Sequence, residues 1–168
     1  TGDLSKVVTP LLSAANWGGQ GLHPRGNFEG FMRAASKQKW LEVHGGSHWA
    51  PFYTDYGVKL QKKFFDYFLK GKTNGWDRQP RVLLQVRHPG EKFIERHEKE
   101  WPLKRTKWTK FYLDPEGMRL LNRPAASGKS VTYDGLGEGV TFSAPPLEKA
   151  TEITGPSTAA EPRIANAA

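Results

Sequence analysis

The sequence has no cysteine and only two methionines in 168 residues. Without thiols there are no disulfides, no thiolate metal site and no cysteine nucleophile, and the composition suits the cytoplasm. No apolar run approaches the ~20 residues that a membrane helix needs. No basic-then-apolar segment opens the chain, so nothing points to secretion. The G-x-S-x-G nucleophile elbow is absent, as are G-x-G-x-x-G and G-x-x-x-x-G-K. Among these residues, then, there is neither a complete serine-nucleophile site nor a phosphate cradle of known pattern.

What is present fits a folded chain. Hydrophobic residues make up 37% and charged residues 25%, and six Trp and nine Phe supply material for a core. The net charge of +8 raises nucleic acid as a partner. The basic residues are spread out, however. The densest groups, Lys59, Lys62 and Lys63, and Lys104, Arg105, Lys107 and Lys110 around Trp108, read as solvated surface. Neither nucleic acid nor membrane is expected as a partner.

Residues 39–69 organise the chain: KWLEVHGGSHWAPFYTDYGVKLQKKFFDYFL. Residues 40–44 alternate as a strand, with Leu41 and Val43 on one face and Trp40 and Glu42 on the other. Gly45 and Gly46 permit a sharp reversal, and Ser47 and His48 follow. Thr54 or Asp55 caps a long helix whose stripe is Leu60, Phe64 and Phe68, and Gly71 stops it. Upstream, residues 10–16 (PLLSAAN) suit a buried strand, and WGGQGLHPRGN is a loop. Asn27 is a candidate N-cap for a helix from Phe28 to about Lys37, with Glu29 and Arg33 paired on its outer side. Strand, helix, strand makes a βαβ unit of a parallel sheet.

The pattern changes at Lys72. Residues 81–88, 107–113, 130–133, 139–143 and 151–154 read as short strands separated by turn residues, the start of a β-sandwich or jelly roll. Residues 157–168 read as a disordered tail. Residues 1–8 look like a connection cut from something longer.

His48 is the candidate catalytic residue. A loop histidine beyond a parallel strand stands where open α/β sheets place their sites. There it can take a serine proton and return it to a leaving group. The same position also fits an imidazole satisfied by a backbone carbonyl. His23, His44 and His48 do not make a metal site, because Gly45 and Gly46 break any helix that would align the last two. Trp101 and Trp108 among lysines read as core aromatics beneath snorkelling side chains. No cofactor is expected.

PLLSAANWGGQGLHPRGNFEGF, KWLEVHGGSHW and FFDYFLKG, in that order, resemble the cocaine-esterase-like hydrolases, which group with X-Pro dipeptidyl-peptidases and α-amino-acid ester hydrolases. The run from RVLLQVRHPGEKF to VTYDG is similar to the non-catalytic C-terminal jelly roll of that group. The resemblance implies an α/β-hydrolase sheet over residues 1–75 and part of a jelly roll over 76–156. It also implies a Ser-Asp-His triad acting on an ester or peptide substrate, with His48 in the run HGGSH as the catalytic histidine. The family's acid follows a tryptophan in a pattern like GGWYD; here that place falls on Gly18 or Gly19. Asp55 or Glu29 would be substitutes. The nucleophile lies upstream of Thr1 in the family, so the chain alone is expected to be inactive, and exposed edges invite a homo-oligomer. The alternative is a non-catalytic β-sandwich module binding peptide or carbohydrate.

Overall fold

Runs of small and β-branched residues that keep both faces apolar build strands covered on two sides. In the computed structural model, which describes residues 2–19, 22–126 and 128–157, two strands lie side by side, the second buried on both faces and the first exposed at Ala14. They are β1 (Leu11–Asn16) and β2 (Lys39–His44), paired in parallel from Leu11↔Lys39 to Asn16↔His44. Helix α1 (Pro24–Arg33) connects them. After β2 come a one-turn helix α2 (Ala50–Tyr53) and the long helix α3 (Asp55–Lys70). Strand β3 (Val82–His88) joins β2 in parallel, and β4 (Lys92–Glu98) returns antiparallel, giving a sheet ordered β1-β2-β3-β4.

The alternation read from residues 40–44 holds, and both faces are buried. Leu41 and Val43 join Ala15, Phe31, Val82, Leu84, Trp101 and Leu103 in a core on the α1 side. Trp40 turns to the α3 side and packs with Phe64 and Trp76, backed by Leu12, Leu60 and Phe68. The ring of Trp76 lies 5.2 Å from those of both Trp40 and Phe64, edge-on to each. The Leu60, Phe64, Phe68 stripe thus meets the sheet as its spacing requires.

Helix ends follow local chemistry. The Thr54 hydroxyl accepts from the Gly57 N–H at the start of α3, and Gly71 closes it at φ 61°, a left-handed conformation suited to glycine. Lys62 and Lys70 bond the Asp66 carboxylate at 2.5 and 2.8 Å and hold it well below the usual carboxylate range. Helix α1 begins earlier than the sequence suggests. Pro24 takes the first turn, where its missing N–H costs nothing, and the helix ends at Arg33. Asn27 lies inside it and donates to the Ala14 carbonyl at 2.8 Å instead of capping.

Residues up to Lys104 form one compact unit and those from Arg105 a second. Strand β3, read in sequence as the opening of the β segment, lies in the first unit's sheet. The second unit carries β5 (Tyr112–Asp114) and β6 (Arg119–Leu121), an antiparallel pair. Arg119 bonds Asp114 and keeps its carboxyl below the ordinary value. Of the strands expected further on, only Ser143 makes a bridge, to Arg119. Residues 130–133 and 151–154 are not strands, and Tyr133 and Ile153 are exposed. A strand forms only where a neighbour pairs its backbone. The expected disordered tail lies, apart from Ser157, outside the described residues. No helix among the described residues is long and apolar enough to cross a membrane.

Trp76 is fully buried and its Nε1 has no hydrogen-bond partner. Trp76→Ala is expected to lower unfolding free energy by about 3–5 kcal/mol in urea titrations. Trp76→Phe, which keeps a ring and removes the unpaired donor, is expected to cost far less.

Candidate active site

The carboxyl ends of β1 and β2 meet at one rim. Beyond β2 the chain turns through Gly45 and Gly46, and Gly46 adopts φ 76°. Three elements hold this turn. From β1, the Asn16 carboxamide Nδ2 faces the carbonyls of His44, Gly45, Gly46 and Ser47 at 3.2–3.5 Å. From β3, the Gln85 side-chain oxygen accepts from the Gly45 N–H at 3.0 Å. From β4, the Phe93 ring lies so close on Gly45 that a Cβ there would fall 2.1 Å from it. These supports could not be read locally, since they join residues distant along the chain.

The turn delivers His48 to the surface, exposed. Its ring stacks on His23, centroids 4.8 Å apart and planes 17° from parallel, and meets Trp49 edge-on at 5.3 Å. His23 precedes α1, so the stack ties the β1–α1 loop to the β2–α2 loop. Of the three histidines set aside as metal ligands, His23 and His48 meet at the rim, while His44 sits at the end of β2. Among the described residues no cluster of three His, Asp or Glu could hold a metal.

After β1, Trp17–Gly19 form a single 3-10 turn, and the Trp17 indole donates to the Gln85 carbonyl at 2.7 Å. Gly18 and Gly19 are not equivalent. A Cβ on Gly18 would lie 2.9 Å from the Asn16 Oδ1 and 3.2 Å from the Gly46 carbonyl oxygen, so the Asn16 clamp would have to shift to admit it. A Cβ on Gly19 would lie 3.5 Å from the His48 Nδ1, at ordinary contact distance. Asp55 pairs with Lys59, and Glu29 with Arg33. Among the described residues neither pairs with His48.

The sequence profile of the X-Pro dipeptidyl-peptidase C-terminal non-catalytic domain matches residues 74–160. The chain belongs to that family. Two crystal structures of a CocE/NonD family hydrolase from Staphylococcus aureus are similar to it at 42% identity, with TM-scores of 0.66 and 0.67. Each similarity covers 71% of this chain and 22% of that hydrolase, so the chain spans a minor part of its relative's length. No curated protein matches it.

Ahead of the matched domain, the chain also holds a polar group that sequence reasoning missed. The Glu42 carboxylate, 2% exposed, accepts from the His44 Nδ1 at 2.8 Å and from the Tyr56 hydroxyl at 3.1 Å. Burial first, and then the Glu42 charge, push the Tyr56 phenol above its ordinary value. The available signal was Glu42 and His44 two apart on one strand, hence neighbours on one face.

The contrast between the two glycines is testable by nitrogen NMR of His48. Gly19→Asp is expected to give a downfield, slowly exchanging Nδ1 proton bonded to the new carboxylate. Gly18→Asp is expected to give no such proton and to destabilise the fold by about 1–3 kcal/mol through overpacking. The same spectrum for both variants would place the acid position elsewhere.

Proposed function

We propose that this chain is the part of a CocE/NonD-type serine hydrolase that supplies the general-base histidine, His48, and that the nucleophilic serine belongs to polypeptide outside these residues. In this reading β1 and β2 are late strands of the α/β-hydrolase sheet, and residues 76–156 are the first portion of the jelly roll. The family match starting at 74 supports that boundary, while β3 and β4 pair onto the first unit's sheet and the compact unit runs to Lys104. The observation that carries the reading is the juxtaposition of Gly19 with the His48 Nδ1 at the carboxyl ends of two parallel strands.

The chemistry is acyl transfer. His48 takes the proton of a serine Oγ as the oxygen attacks an ester or amide carbonyl, then hands it to the departing alcohol or amine. Water repeats the sequence on the acyl-enzyme. With glycine where the acid would stand, His48 keeps its orientation through stacking on His23 instead of a carboxylate bond. The substrate class is an ester or small peptide, the compartment the cytoplasm, and self-association a further expectation.

A second reading rests on the non-catalytic character of the matched domain. The β segment exposes Trp108, Phe111 and Tyr133, aromatics suited to holding a peptide or sugar.

The test is a chimera in which this chain replaces the matching part of the S. aureus hydrolase. The chain alone is expected to leave p-nitrophenyl esters untouched. The chimera is expected to turn them over, His48→Ala to lower kcat by about 10³-fold or more, and Gly19→Asp to raise it. Turnover by the chain alone that vanished with His48→Ala, or a folded chimera indifferent to His48→Ala, would overturn the proposal.

A further inference from the structure

We propose that the pocket between the end of α1 and residues 99–102 is a binding site for an organic acid, a carboxylate carried on an apolar ring, whose charge meets the basic side chains of the rim while its body rests on Phe31 and Trp101. The walls all belong to the first compact unit, at the amino ends of β2 and β3 and so at the end of the sheet opposite His48. Strand β1 contributes no residue to them. The pocket encloses about 470 Å³, inside the roughly 300–1,000 Å³ of small-molecule sites and enough for one substituted ring.

Floor and rim select the ligand together. The floor is apolar, with Phe31 and Met32 from α1 against Trp101 and Pro102. Lys37, Lys39, Arg81 and Lys99 reach the pocket from separate segments. Two of these are anchored. The Lys39 ammonium donates to the Met32 and Ala34 carbonyls at 3.1 and 2.7 Å, which offsets the negative end of α1 that would repel an anion. The Arg81 guanidinium lies 4.5 Å over the Trp40 ring. Lys37 and Lys99 are exposed and have no ion-pair partner among the described residues. The acid in the lining, Glu100, faces Lys104 at 3.4 Å. Four cations against one engaged carboxylate leave the pocket positive, and an anion between them relieves their mutual repulsion. A further donor points to the same chemistry. Trp101, 7% exposed, has a buried indole Nε1–H without a partner. An indole N–H only donates, at any pH, so this group also calls for an acceptor. An inorganic anion would leave the apolar floor uncovered, and an uncharged ring would leave the lysines unpaired. A carboxylate on an apolar ring answers both.

The experiment is an NMR titration of the full chain, nitrogen-labelled at tryptophan, with sodium benzoate, benzyl alcohol and sodium sulfate at constant ionic strength. Trp101→Phe assigns the Trp101 indole signal. Benzoate at millimolar concentration is expected to move that signal saturably. Benzyl alcohol, which keeps the ring and lacks the charge, is expected to bind about tenfold more weakly or worse. Sulfate, which has the charge and no ring, is expected to give no saturable shift. Lys37→Gln combined with Lys99→Gln is expected to weaken benzoate about tenfold or more, with the other indole signals reporting an unchanged fold. Lys99→Glu alone repeats the test if the double variant misfolds. No saturable Trp101 shift with benzoate, benzyl alcohol or sulfate binding as tightly as benzoate, or benzoate binding unaltered in a folded variant would overturn the proposal.

Discussion

One buried carboxamide governs the geometry of the rim. Asn16, 3% exposed at the end of β1, directs its NH₂ at four successive carbonyls of the turn that follows β2. Two N–H bonds shared among four acceptors are individually weak. Collectively they give four converging carbonyl oxygens a shared donor, and a buried group left unpaired costs about 1–3 kcal/mol. The donor end must face them, because an oxygen in its place would meet four others. Gly46 adopts the left-handed conformation this curl requires, and Gly45 leaves room for Phe93. The exit direction of the chain, and with it the place of His48, follows.

The same residue explains why two adjacent glycines differ. Gly18 backs onto the Asn16 side chain and the turn it holds, so a side chain there would displace the clamp. Gly19 faces outward across the His48 ring. A side chain at Gly19 would therefore reach the His48 Nδ1, and the glycine present there offers it none. Stacking on His23 supplies orientation without charge. In the proposed reading, His48 is the proton shuttle and Gly19 stands where its acid would be.

Much of the sheet was legible because short-range rules govern it. The alternation at 40–44, the Thr54 cap, the Gly71 stop and the stripe on α3 each depend on neighbours a few residues away, and each is found. The α1 boundary was misread because Pro24 and Asn27 both carry N-terminal signals, and tertiary bonding of Asn27 to Ala14 decided between them. Strand β4 went unread, and residues 130–133 and 151–154 were overread. Strand formation in these segments turns on partners that propensity does not name. At the site, the glycine turn that presents His48 and the glycines after Trp17 were readable in sequence, and the structure brings Gly19 beside the His48 ring. The Asn16 clamp, the His23 stack and the Glu42–His44–Tyr56 group were not, since each joins residues brought together only by the parallel register.

The dependence of the rim on Asn16 is most directly measured by amide exchange and line shape across residues 44–49, compared between the parent chain and Asn16→Asp. The substitution is nearly isosteric and replaces the donor with an oxygen. The account predicts sharp, protected resonances in the parent, and in the variant fast exchange confined to this turn with loss of the His23–His48 stacking shifts. A variant whose turn is as ordered as the parent's, with the two imidazoles still in register, would contradict it.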